Sequence, residues 1–383
     1  MAQIVVIDDA VNDSFLLNPV SNRYVLKNGV FHKGDARQDC KLSHGTLVAK
    51  VLEQYALDYN LINLQITDNW FQSKKCPIEF LRKALEFCLE IQCDVINISL
   101  GSKRLSDMAY LTPIIQEIRH REIPIVAACS NSFHRTVPAA DCGVLGVICD
   151  RSNELEAGTY AIRYNSYLGT EYMAHYALDI PHINDSHESN SLATAVITAK
   201  INQIQNKKQL SYAALIQELD ACATPIRDVV QSSVPNPVVH NEIPVVYCVD
   251  LFTNKQNQQK ELLDLFNRDG YEVLGISDDP NVTDVRFISL VSVGHGPIRE
   301  IQQYACDCAK TDLVIFFCSF DWLTQQDWRD YEEDSAVLVS YDDMMCSTIP
   351  FHFIKKKYTV SETCNVQTLC HELHAILSGA DMS

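Results

Sequence analysis

The chain has 383 residues, with 31 Lys and Arg against 49 Asp and Glu, a formal net charge of −18 at pH 7. That excess disfavours nonspecific nucleic-acid binding and suits a soluble protein, and it is heavier after residue 242 than before it. The length suits two domains, no apolar run reaches membrane-span length, and fifteen irregularly spaced cysteines without an export signal read as reduced thiols of a cytoplasmic protein.

The first part alternates strand and helix. Residues 3–8 read as a strand ending at Asp8-Asp9, about 43–57 as a helix, 60–66 as a strand and 77–91 as an amphipathic helix. Strand 93–99, helix 107–120, and strands 123–128 and 143–149 follow. A helix from about 190 to 206 and another over 211–223 close this part. Such alternation predicts an α/β fold, a parallel sheet with helices on both faces. Its chemistry belongs at the carboxyl edge of the strands.

A second α/β pattern follows residues 229–243, which together with Pro244 hold three prolines and no helical period and read as a linker. The domains expected are therefore 1–228 and 244–383. In the second, strand 245–250, helix 256–268, strand 271–276, helix 297–310, strands 312–318 and 336–340 and helix 366–378 predict a smaller Rossmann-like domain. Its first strand–helix turn lacks the glycines and the Lys-Ser/Thr pair that cradle phosphate. Substrate recognition or dimerisation suits this domain better than nucleotide binding.

Five segments of the first part carry a pattern. Ile4-Val5-Val6-Ile7-Asp8-Asp9 is a hydrophobic strand ending in Asp. Ser43-His44-Gly45-Thr46 opens one helix, and Ser189-Asn190-Ser191-Leu192-Ala193-Thr194 opens another. Asp94-Val95-Ile96-Asn97-Ile98-Ser99-Leu100-Gly101 and Ile125-Val126-Ala127-Ala128-Cys129-Ser130-Asn131 are strands that end in small or polar residues. A serine hydroxyl is a weak nucleophile at neutral pH and needs a base. An imidazole can take that proton and return it to the leaving group.

In this order the segments resemble the subtilisin-like serine proteases. The resemblance implies Asp8, His44 and Ser191 as the triad and the Asn131 amide with the Ser191 N–H as oxyanion donors. It implies that Ser99, Leu100 and Gly101 form one wall of a peptide cleft and Ala128, Cys129 and Ser130 the other. The implied activity is endopeptidase cleavage through a Ser191 acyl-enzyme. The architecture is analogous to that of proteases that mature ribosomally made peptides. The partners expected are a peptide or protein substrate, with no nucleic acid and no membrane. Homo-oligomerisation is left open, and no cofactor is expected.

The chain also departs from the family pattern. Asp9 and Ala10 stand where Ser/Thr and Gly usually follow the Asp. Ser189 and Asn190 take the places of Gly-Thr, Ala195 that of Pro, and Ser130 that of the Gly before the oxyanion Asn. Glycine often marks close approach or positive φ, so these changes predict a narrowed, selective site. They also keep a second reading open, a pseudoprotease that binds peptide in the same cleft. Strand alternation sends Asp8 and Asp9 to opposite faces, so only one can meet His44. Neither His182, Asp185, His187 and Glu188 nor Cys370, His371, Glu372 and His374 has the His-Glu-x-x-His spacing of a zinc site. The first cluster reads as a polar loop and the second as a solvated helix face.

Overall fold

The computed structural model describes residues 1–36, 42–67, 76–162, 168–170, 172–178, 189–225, 243–252, 255–290, 298–326, 336–341, 356–361 and 364–378. The chain divides into two compact units, the first built from most of residues 1–234 and the second from residues 235–383 with a few residues of the earlier chain. Residues 229–242 of the expected linker and the whole cluster from His182 to Glu188 lie outside the described residues.

In the first unit, strands β1 (Ala2–Asp8), β2 (Asn22–Lys27), β3 (Val30–Lys33), β4 (Tyr59–Gln65), β5 (Val95–Ile98), β6 (Ile125–Ala128), β7 (Leu145–Cys149), β8 (Tyr160–Ile162) and β9 (Tyr172–Ala174) form one sheet. Its order is β3-β2-β4-β1-β5-β6-β7-β9-β8. The pairs from β2 through β9 are parallel, and the two edge strands, β3 and β8, are antiparallel to their neighbours. Helices α1 (His44–Tyr55), α2 (Ile78–Cys88), α3 (Met108–His120), α4 (Asn190–Lys207) and α5 (Tyr212–Ala221) accompany it.

Every residue of β5, β6 and β7 is buried, as expected of strands covered on both faces. Ile4 and Val6 of β1 join the core built on α1 and α4, while the alternate residues Val5 and Ile7 are equally buried. α2 packs against both β1 and α3. The first ten residues of α4, Asn190 to Ala199, are all buried, so this helix runs through the interior rather than along the surface. A helix apolar on every side belongs in a core.

The second unit holds an all-parallel sheet in the order β12-β11-β13-β10-β14-β15. The strands are β10 (Val245–Val249), β11 (Val273–Ser277), β12 (Phe287–Ser289), β13 (Leu313–Cys318), β14 (Ala336–Ser340) and β15 (Lys356–Thr359). Helices α6 (Lys255–Arg268), α7 (Ile298–Cys308), α8 (Phe320–Thr324) and α9 (Val366–Leu377) alternate with them. This is a parallel α/β unit, but β13 lies between β11 and β10. The order therefore differs from that of a dinucleotide-binding Rossmann sheet, where the first strand lies beside the second. None of the described helices is long and apolar enough to cross a membrane.

Candidate active site

β1 ends at Asp8, and the next residues turn under the start of α1. Asn63 of β4 holds this turn, accepting from the Val11 N–H (3.2 Å) and donating to the Asp9 carbonyl (3.1 Å). Ser43 caps α1 by accepting from the Thr46 N–H. The Thr46 hydroxyl in turn accepts from the Asn12 N–H at 2.9 Å. Gly45 is required here by close approach, because a Cβ would stand 2.8 Å from the Asp9 carbonyl and 3.3 Å from Asp8 Cβ.

This packing brings His44 Nδ1 to 2.9 Å from both carboxylate oxygens of Asp8. Asp9 does not turn to the opposite face as alternation predicts. The strand has ended, and the Asp9 carboxylate accepts from the N–H of Gly45 at 2.7 Å and of His44 at 3.3 Å. It satisfies backbone donors that a helix start leaves open and complements the positive helix end. Asp8 thus meets the ring and Asp9 the backbone. Burial of the ring lowers the His44 pKa, but the charge and hydrogen bond of Asp8, with the charge of Asp9, outweigh it and hold the imidazole above its ordinary value.

Ser191 is the second residue of α4. Its Oγ donates to the Ser99 carbonyl at the end of β5 (3.0 Å). The N–H of Asn190 donates to Asn131 Oδ1 (2.8 Å), and those of Leu192 and Ala193 donate to the Ser189 carbonyl. Among the first four N–H groups of α4, that of Ser191 is therefore the one with no acceptor among the described residues. Because Asn131 Oδ1 is fixed as an acceptor, its Nδ2 is left as a second donor beside the same helix start. The Asn131 carbonyl accepts from Arg151 Nη2 (2.9 Å), and the Arg151 guanidinium lies 4.3 Å from the Phe133 ring centroid. The turn carrying Asn131 is thus braced from outside.

Sequence reasoning missed what Asn190 does. Its side chain donates to the carbonyls of Cys129 (3.1 Å) and Ser130 (3.0 Å) and accepts from the Cys149 N–H (2.8 Å). It joins the start of α4 to the ends of β6 and β7, and its place just before Ser191 was the available signal. Asn97 also reaches α4, donating to Thr198 Oγ1 at 2.9 Å. None of the three places where glycine was expected has a left-handed backbone. Ser189 is extended at φ −112°, and Ala10 and Ser130 are not among the residues with positive φ.

The two expected cleft walls contribute mostly backbone. Ser99, Leu100, Ala128 and Cys129 are buried, whereas Gly101 is exposed and Ser130 half-buried. Gly101 approaches the Val137 carbonyl so closely that a Cβ would stand 2.7 Å from it. The Ser130 hydroxyl is held in its own turn, 2.9 Å from Ser132 Oγ. A cleft of about 230 Å³ lined by Lys200, Gln203, Lys207 and Cys222 opens beside the other end of α4, away from Ser191.

The class of arrangement is a parallel α/β unit with an Asp–His pair at a strand end and a serine at the start of a buried helix. No protein-family model and no curated protein matches the chain. Several of the solved structures that it is similar to are proteases. The prenylagaramide maturation protease PagA is 17% identical over 59% of this chain and 85% of that one, with a TM-score of 0.42. The epidermin leader peptide processing serine protease EpiP from Staphylococcus aureus is 15% identical over 57% and 68%, with a TM-score of 0.44. The self-cleaved protease domain of PatA is 16% identical over 55% and 83%, with a TM-score of 0.37.

Proposed function

We propose that the first unit is a subtilisin-like serine endopeptidase that cleaves a specific peptide, in the maturation of a ribosomally made precursor, and that it works in the cytoplasm. The observation that carries this reading is the Asp8–His44 pair together with the unclaimed N–H of Ser191. The Ser191 hydroxyl leaves the Ser99 carbonyl by rotating about χ1 and gives its proton to His44 as it attacks the peptide carbon. Asp8 holds the proton on Nδ1 and stabilises the imidazolium. The Ser191 N–H and Asn131 Nδ2 receive the developing oxyanion. His44 then protonates the leaving amine, and water releases the acyl group by the same route. The second unit serves substrate recognition or self-association.

One observation favours the second reading, a peptide-binding pseudoprotease. The Ser191 hydroxyl is engaged with Ser99 and not with His44. A fluorophosphonate probe separates the two. The endopeptidase reading expects stoichiometric labelling that disappears in Ser191→Ala, and an unlabelled parent protein would establish the pseudoprotease.

Two further outcomes follow from this reading. Because neutral His44 is the base and its pKa is raised, kcat/KM should rise with pH through a midpoint above the ordinary imidazole value of about 6.5. The stability linkage runs the other way. The Asp8–His44 contribution is complete below the unfolded-state pKa and fades as pH rises through the folded one. A kinetic midpoint at or below the ordinary value would contradict the pairing.

The second outcome concerns the residue before the scissile bond. Ser130 stands where a glycine would open that pocket, so large aromatic residues should be cleaved poorly. Ser130→Gly should relax this by about 10- to 200-fold. A peptide-library profile that prefers Phe or Tyr in both proteins would defeat the argument.

A further inference from the structure

The sequence reading set aside Cys370, His371, Glu372 and His374 as a solvated helix face, and the structure divides that group. Cys370 is buried and His374 half-buried, while His371 is exposed. Cys370 and His374 are four residues apart on α9, a spacing that places both on one side of the helix. α9 packs against α6. Asp269 lies just past the last residue of α6, where its N–H closes the helix on the carbonyls of Leu265 and Phe266. Asp269, Cys370 and His374 each offer one ligand atom, and the three atoms lie within 4.8 Å of one another.

The hydrogen bonding at this point is incomplete. His374 Nε2 is 2.9 Å from Asp269 Oδ2, yet it is a buried ring nitrogen with no hydrogen bond. The two atoms are close but misaligned. The Cys370 thiol, 5% exposed as a residue, has no hydrogen-bond partner among the described residues. The imidazole is held by ring contacts to Phe266 (4.6 Å between centroids) and Tyr271 (5.4 Å). A buried nitrogen and a buried sulfur, neither with a hydrogen-bond partner among the described residues, therefore converge on a carboxylate oxygen, in a protein where buried polar atoms are ordinarily satisfied.

We propose that Asp269, Cys370 and His374 form a binding site for a zinc-class divalent cation, which fastens the end of α6 to α9. One sulfur, one nitrogen and one oxygen are the donor set that zinc takes at about 2.0–2.3 Å in tetrahedral geometry. Thiolate and imidazole together select against magnesium and calcium, which take oxygen ligands. Tetrahedral bonds of that length put donor atoms roughly 3.3–3.8 Å apart, so the cluster must contract slightly. The Asp269 side chain, 57% exposed, is free to swing inward. The fourth position faces the exposed side of Asp269 and takes water. Binding displaces the Cys370 proton to solvent and forms the metal–sulfur bond. No electron is transferred, because zinc has no redox chemistry. The site lies wholly in the second unit and does not depend on the endopeptidase reading.

Cobalt(II) is the probe. The full chain is stripped by dialysis against EDTA and titrated with Co²⁺. One equivalent should produce a thiolate-to-cobalt charge-transfer band in the near ultraviolet and tetrahedral d–d bands in the visible, and Zn²⁺ should abolish both. Cys370→Ser should lose the charge-transfer band. Asp269→Asn, an exposed change that spares the core, should weaken Co²⁺ binding about tenfold or more, since even groups behind metal ligands are worth about 10- to 100-fold. Zn²⁺ should raise the melting temperature of the parent protein and not that of His374→Gln. Absence of the bands would show that His374 and Asp269 form an ion pair and nothing more, and a charge-transfer band that persists unchanged in Cys370→Ser would place the metal on other thiols and overturn the site.

Discussion

Ser191→Ala and His44→Ala are each expected to lower peptide turnover by about a millionfold while the first unit stays folded. Each change removes a group without which the others cannot act, so the double variant should be little worse than either single one. The structural costs are smaller. Losing the Ser191 hydroxyl removes one hydrogen bond to the Ser99 carbonyl, worth about 0.5–1.5 kcal/mol. Losing the imidazole leaves the buried Asp8 carboxylate accepting from the Asp9 N–H at 2.8 Å, so His44→Ala should destabilise more than Ser191→Ala. Peptide turnover and thermal melting, measured together, check both halves. Activity that survives either change within tenfold would end the triad assignment.

Asp8→Asn and Asp9→Asn should differ sharply although the residues are adjacent. Asp8 contacts His44 Nδ1 through both oxygens, and an amide there can set the wrong tautomer. A change of this kind costs about 10⁴-fold in turnover. Asp9→Asn keeps an oxygen to accept from the Gly45 N–H, and it loses the longer bond from the His44 N–H and a charge at the helix start worth about 0.3–1 kcal/mol. Its turnover should stay within tenfold of the parent. The charge of Asp9 also helps hold the His44 pKa up, so Asp9→Asn should move the pH midpoint downward. Steady-state kinetics on the two variants decide the matter, and a larger loss from Asp9→Asn would exchange their roles.

The long, periodic elements were legible because their burial patterns repeat locally. β1, β4 to β7, α1 and α3 to α5 fall within about two residues of expectation, as do the starts of α1 and α4 at His44 and Asn190, while α2 ends three residues early at Cys88. The hairpin of β2 and β3 was missed although Asn28-Gly29, with φ of 51° and 78°, sits at its turn. An Asn-Gly pair between apolar runs is a strong hairpin signal, so this signal was present and unused. β8, β9 and β12 are three residues each, too short to show a period, and they are defined by pairing with neighbouring strands rather than by any local pattern. The same limit hid the cradle under Ser191. Asn190 is adjacent to Ser191, but its partners Cys129, Ser130 and Cys149 lie 41 to 61 residues away. The side shared by Cys370 and His374 was readable from a spacing of four. Asp269, about a hundred residues earlier, was not.

The burial of α4 has a consequence for how the first unit loses function. The amides of its buried stretch, Leu192 to Ala199, sit inside a helix in contact with α1, α5, β5, β6, β7 and β9, so they have no local route to solvent. Their hydrogen exchange should proceed only through opening of the whole unit, at the top of the range of protection that a native protein spans. The position of Ser191 is then a property of the entire fold. Denaturant should extinguish probe labelling and helical signal at one midpoint, leaving no concentration at which the unit is folded but its serine is displaced.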